Sequence, residues 1–311
     1  MPIASAPSGI PTLVRDDPSR RRPRELEDGL NFYLYHPLAA RLARLLKPTG
    51  ISPNAVSVLG CLLIVGAAWA YTGLAWPQGV VAGFTLHLLW HVADGADGDL
   101  ARLTGKSSPA GELVDGVCDV AGHVVLYVAL AAMLQHQIGG WAWPLAVAAG
   151  ASHIVQSTHV ETQRRSYLWW AYGIPWLKHA QAPGDATFRR ANRFSITYAW
   201  MAPAYVGLAN ALNPFSARVD AAVDAAASDR MRRAAIRRLV RRASRGSLRF
   251  QKIVGANPRT ILLGVSMALG SPLYYFLVET VLLNLALSLS VRHHNVVGRR
   301  LAERLERAGN D

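Results

Sequence analysis

Apolar positions along this chain gather into runs of about twenty residues, the length a helix needs to cross a bilayer. Clear runs fall at 55–75, 78–96, 114–135 and 141–160, with a weaker one at 194–212 and a longer one at 260–291. The pattern predicts an all-α fold, a polytopic membrane helix bundle of about six transmembrane helices. Ahead of the first run, residues 30–47 (LNFYLYHPLAARLARLLK) alternate aromatic and Leu/Ala positions with Arg and Lys. That spacing predicts an N-terminal amphipathic helix at the membrane interface. Pro48, Gly50 and Pro53 then break it, and Ser52 is placed to cap the next helix.

Two stretches interrupt the pattern. Residues 1–28 are polar and basic with no apolar h-region, so we expect a disordered tail and no cleavable signal peptide. The membrane domain then covers 29–311, with a basic cytoplasmic insertion at about 170–258. If 194–212 spans, 260–291 returns as one long helix. If it does not, 260–291 folds into two short crossings about Gly270-Ser271-Pro272. The charge pattern favours the second arrangement and helix length the first.

The chain has 311 residues, a net charge of +13 and only 17% charged residues. The basic residues lie outside the apolar runs: Arg15, Arg20, Arg21, Arg22 and Arg24 in the tail, and Arg41, Arg44 and Lys47 before the first run. Ten more fall between Arg230 and Lys252 without one acidic residue. Arg292, Arg299, Arg300, Arg304 and Arg307 close the chain. Positive charge on the cytoplasmic side explains this better than nucleic-acid binding, because spans flank the basic segments. The apolar stripe Ile236, Leu239, Val240 and Ala243 reads either as a helix on anionic lipid or as a solvated basic helix. Cys61 and Cys118 sit inside apolar runs and suggest neither a disulfide nor a metal knuckle.

The polar exception is DGADGDLARLTGKSSPAGELVDGVCD, residues 94–119, which joins the second and third runs. At about 100° per residue, Asp94, Asp97, Gly98 and Ala101 share one face of a helix, as do Gly111, Asp115 and Asp119 on the next. Two consecutive helices thus present carboxylates and small residues toward each other. Four carboxylates packed together repel unless cations lie between them. Oxygen-only ligands favour Mg²⁺, Mn²⁺ or Ca²⁺, and four suit two divalent ions with room for a pyrophosphate. Small residues let such a ligand approach the backbone, and Arg102 at the loop edge can meet phosphate.

The spacing D-x2-D-G-x2-A-R-x8-G-x3-D-x3-D resembles the signature of the CDP-alcohol phosphotransferase (phosphatidyltransferase) family, with every position filled. The resemblance covers about 30–170. It implies that Asp94, Asp97, Asp115 and Asp119 hold two Mg²⁺ or Mn²⁺ ions, with Asp119 also the catalytic base. It implies that Asp94, Gly98, Ala101, Arg102 and Gly111 line the CDP site. The reaction implied is attack of an alcohol on the β-phosphoryl of a CDP-alcohol, with release of CMP. CDP-diacylglycerol with a polyol or polyol phosphate is the leading pair, in a homodimeric protein of the bacterial inner membrane with its site facing the cytoplasm. Transfer from CDP-choline or CDP-ethanolamine to a lipid alcohol shares the motif. A cation carrier explains the carboxylates but not Gly98, Ala101, Arg102 and Gly111 at their spacing.

Further candidates lie outside the motif. His159, Arg164 and Arg165, with Gln156 and Gln163, are expected to build an acceptor pocket. His91 and His123, one turn from Asp94 and Asp119, are placed to hydrogen-bond ligand aspartates. Asp99 and Glu112 read as solvent-facing. Glu279 and Asn284 are polar at membrane depth, Glu279 either pairing with an arginine or marking a helix contact.

Overall fold

The structure, a computed structural model, describes residues 23–107, 109–174 and 195–310. Residues 1–22 of the expected tail, 175–194 of the expected insertion and Ser108 of the loop lie outside them. The regular structure of the described residues is all helix, without strands.

Residues 23–28, expected to belong to the tail, are tied down. Glu25 accepts hydrogen bonds from the Tyr167 and Tyr172 hydroxyls at 2.8 and 2.6 Å. Asp28 accepts from the Asn31 backbone N–H at 2.9 Å and from Asn257 at 2.8 Å. A π turn, Asn31–Tyr35, runs into α1, His36–Leu46. It lies within the stretch 30–47 read as an amphipathic helix. Ala39 and Ala43 pack with Val56, Ala96 and Leu100, while Tyr33, Leu38 and Leu45 stay exposed.

Ser52 starts α2, Pro53–Gly73, as expected: its Oγ accepts the Ala55 N–H at 3.2 Å, and Pro53 occupies the first turn. α3 covers Gln78–Thr104 and ends at Gly105, whose φ of +66° a side chain would resist. α4 (Pro109–Ile138) and α5 (Ala142–Tyr172) follow, joined by a single 3₁₀ turn at Gly139–Trp141. Between α2 and α3 the packing is of the close kind that membrane helices use. A Cβ at Gly79 would fall 2.7 Å from the Ala70 carbonyl oxygen, and one at Gly83 would fall 2.6 Å from the Tyr71 ring.

The second half is made of shorter helices: α6 Ser195–Leu212, α7 Ser216–Ala225, α8 Arg230–Ala243, α9 Arg245–Val254 and α10 Ala256–Ala268. α11, Leu273–Leu277, continues through a π turn into α12, Leu283–Asn310. The run 260–291 therefore folds back on itself, turning at Gly270 (φ +84°) just before Pro272. The Arg-rich α8 neither floats free nor gives its apolar stripe to lipid. Ile236 and Val240 pack with Tyr167 and Trp170 of α5 and Leu301 and Leu305 of α12, leaving the arginines on the outer face. A sequence shows the stripe but not what covers it.

Three segments are long and apolar enough to cross a membrane: Pro53–Gly73, Val114–Tyr172, which takes in most of α4 and all of α5, and Leu273–Arg307. α3, expected as a span, and α6, for which the sequence left spanning open, are not among them; in α3, His87, His91 and the aspartates lower the hydropathy. Exposed Val58 and Leu62 on α2, Val124 and Val128 on α4, and Leu285 and Leu289 on α12 suit a lipid-facing surface. At one end of the bundle three turns meet: Trp76 donates to the Ala268 carbonyl at 3.4 Å, and Gln137 to that of Gly270 at 3.2 Å. Trp69, Trp76 and Trp141 are exposed around that end, as in an interfacial aromatic belt.

Candidate active site

α3 and α4 leave the loop at 105–108 as antiparallel neighbours, and both carry the motif near it. Asp94, Asp115 and Asp119 each offer a carboxylate oxygen, all within 4.8 Å of one another and half-buried. The spacing argument anticipated this convergence. Asp97 stands beside it, buried and within hydrogen-bonding reach of Asp115. Its Oδ2 accepts from the Ser57 hydroxyl of α2 at 2.6 Å, and its Oδ1 accepts the Gly98 backbone N–H. Like charges this close need positive charge between them. Hard divalent cations are what an all-carboxylate donor set binds best, so the residues present fit the metal that the motif implies.

Arg102 curls over Gly98: a Cβ there would approach the guanidinium to 3.4 Å. The same guanidinium pairs with Asp99, so Asp99 is not a bystander but the local partner of Arg102. Ala101 is half-buried and Gly111 opens the facing turn of α4. Glu112 is described only in its backbone.

The other candidates are placed differently. Arg164 and Arg165 both hold Glu161, at 2.6–2.8 Å. His159 is buried against Ser290 (3.0 Å) and Gln163 (2.6 Å), and Gln163 accepts from Gln251 of α9. Gln156 donates to the Glu279 carbonyl and to Asn284 Oδ1. Together Gln156, His159 and Gln163 fasten α5 to α9 and α12, and Gln163 also lines a small cavity with Tyr167, Trp170, Ser247 and Gln251. The Arg164–Arg165–Glu161 cluster is separate, half-buried on α5.

The histidines bond elsewhere than to carboxylates. His91 meets the Thr260 hydroxyl at 2.8 Å and stacks on Tyr35. His123 donates its Nδ1–H to the Asp119 backbone carbonyl at 2.8 Å. Periodicity put both on the right face, but the π turn before α1 and α10 supply nearer partners for His91, and a helix offers His123 its own carbonyl four residues back. Glu279 does pair with an arginine: Arg259 Nε lies 3.3 Å away and His153 Nδ1 3.2 Å away.

Three residues near the site had no place in the sequence reading. Trp90 Nε1 donates to Asp119 Oδ1 at 3.1 Å. Ser57 holds Asp97, and Arg259 ties α10 to α5 through Ser157 and Gln156 at 2.8 and 2.7 Å. Trp90 precedes Asp94 by one helical turn, a signal that could have found it. Ser57 and Arg259 come from distant chain segments and leave no such trace.

Neither a curated protein nor a solved structure matches the chain. A family model does: that of CDP-alcohol phosphatidyltransferase, over residues 50–182, which takes in α2 to α5 and the whole aspartate cluster. Residues 50–182 thus resemble the CDP-alcohol phosphatidyltransferase domain, a family whose members are phosphotransferases.

Proposed function

We propose that the protein transfers a phosphatidyl group from CDP-diacylglycerol to a polyol or polyol phosphate, releasing CMP, in phospholipid synthesis. The observation that carries this reading is the convergence of Asp94, Asp115 and Asp119 within 4.8 Å, inside the matched family segment. Asp94, Asp97, Asp115 and Asp119 would hold two divalent ions, Mg²⁺ or Mn²⁺. Such ions, when bound, neutralise a pyrophosphate and ease departure of CMP. Ser57 behind Asp97 and Trp90 behind Asp119 give the ligands the hydrogen-bonded backing that metal sites use.

Around that centre each residue has a task. Gly98, Ala101 and Gly111 leave the backbone open to the nucleotide, and Arg102 swings from Asp99 to phosphate. Asp119 aligns the acceptor hydroxyl and takes its proton. The hydroxyl oxygen bonds to the β-phosphorus as the bond from that phosphorus to the CMP oxygen breaks. Arg164 and Arg165, held forward by Glu161, receive a phosphorylated acceptor. His159 stands behind them in the α5–α12 contact.

The reading extends to topology. α2, α3, α4, α5, α10 and the α11–α12 pair run between the aspartate end and the tryptophan end, which supports six crossings. The arginines of α8 and of the end of α12 sit by the last turns of α5, at the end opposite Trp69, Trp76 and Trp141, which supports a cytoplasmic site in a bacterial plasma membrane. A homodimer is proposed with it. Presenting the purified protein with CDP-diacylglycerol plus polyol phosphates, and separately with CDP-choline plus diacylglycerol, tests the donor. CMP from the second pair alone would sink the phosphatidyl reading.

A further inference from the structure

We infer that Trp90 is a positioning residue for Asp119: its indole N–H fixes that carboxylate in the rotation that faces Asp94 and Asp115. The inference rests on the metal-site reading above. Trp90 belongs to α3 and Asp119 to α4, so their 3.1 Å hydrogen bond crosses between the two helices that carry the motif. Asp94 lies one turn beyond Trp90 on α3. The bond therefore sets Asp119 relative to Asp94, the pair whose separation decides whether one cation can be shared. An indole N–H only donates, so it cannot compete with the carboxylate for a proton or a metal.

The indole itself has little freedom. Trp90 is 6% exposed. His91 lies 4.5 Å from it, centroid to centroid, and His123 meets it edge-on at 4.9 Å. On the α2 side the ring packs beside Gly60, where an added Cβ would sit in ordinary contact, 3.5 Å from its Cδ1. His123 in turn bonds the Asp119 carbonyl, so carboxylate and backbone of one residue are gripped by two rings that pack on each other. Below them His153 lies 5.3 Å from His123 and is anchored on Glu279. A group built this rigidly suits a ligand whose direction matters.

The test is Mn²⁺ binding to the purified protein in detergent, without nucleotide or acceptor, read by electron paramagnetic resonance. Trp90→Phe keeps the ring and removes the donor. We expect Mn²⁺ affinity to fall by about tenfold or more, the usual effect of losing such a partner. In an Asp119→Asn background the same change should have no further effect. Unchanged affinity in Trp90→Phe, or equal losses in both backgrounds, would overturn the inference. Should Trp90→Phe not fold, the indole ¹⁵N–¹H spectrum of the native-sequence protein serves instead. One indole signal should move in Asp119→Asn, and none moving counts against the bond. Because no substrate is present, failure of the transferase reading shows as absent CMP release and stays distinct from failure here.

Discussion

The Arg259 guanidinium lies 3.3 Å from the Glu279 carboxylate, with side chains only 4% and 0% exposed. Burying two charges costs desolvation that their attraction repays only when the remaining polar atoms are also satisfied. Here Ser157 and Gln156 take the other guanidinium nitrogens. The Glu279 carboxylate is held only by the ion pairs to Arg259 and His153, with no hydrogen bond to either oxygen among the described residues, so the pair depends heavily on both partners. Removing one partner alone, as in Glu279→Ala, should cost about 3–5 kcal/mol of stability. The double change Arg259→Met with Glu279→Leu should cost clearly less. Thermal unfolding in detergent checks both, and a harmless Glu279→Ala would deny the pair its role.

Gly264 of α10 faces Phe84 of α3 so closely that a Cβ would fall 2.5 Å from the ring. An aromatic ring so packed cannot retreat cheaply. Gly264→Ala should cost about 1–3 kcal/mol, and Phe84→Leu in the same chain should recover part of it. Equal stabilities of Gly264→Ala and the parent would mean α10 sits farther from α3 than described.

Arg164 and Arg165 are expected to act on the acceptor. Arg165→Gln should raise KM for a polyol phosphate by about tenfold to a hundredfold, the scale of a lost hydrogen bond to a charged group. It should leave kcat nearly unchanged, as loss of uniform binding does. A kcat loss at constant KM would move these arginines from binding to chemistry.

Glu25 joins the N-terminal segment to the end of α5. Burial alone would raise its carboxyl, but hydrogen bonds from Tyr172 and Tyr167 and the nearby Arg241 charge bring it net below the ordinary value of 4.5. A lowered folded value means the contact stabilises above pH 4.5 and is lost as pH falls through the folded value. Protection against hydrogen exchange across residues 24–35, relative to the intrinsic rate at each pH, should therefore fall below about pH 4.5. Glu25→Gln should flatten that dependence, and an unchanged profile would remove Glu25 from it.

Much of this was legible in the sequence, for a physical reason. Asp94, Asp115 and Asp119 lie on helices joined by a short loop, so helical period alone brings them together. Ser52 caps α2 as its position before Pro53 foretold. Relations between distant segments were not legible. Ile236 and Val240 announced a buried stripe, yet only the fold shows Trp170 and Leu301 against it. Arg259, at the start of an apolar run, gave no hint of Glu279 twenty residues on, because the turn at Gly270 brings them together. Gln156, His159 and Gln163 share a face by period, but only the fold shows that α9 and α12 supply their hydrogen-bond partners.

The central claim is tested most directly by following CMP from CDP-diacylglycerol and a panel of polar alcohols, with and without Mg²⁺ or Mn²⁺, for the parent and Asp119→Asn. The account predicts CMP release that needs both a divalent ion and one acceptor. In Asp119→Asn, folded as judged by its unfolding temperature, release should fall by at least about a thousandfold, the upper range for losing a general base. Metal-independent release, or near-normal release by Asp119→Asn, would contradict it.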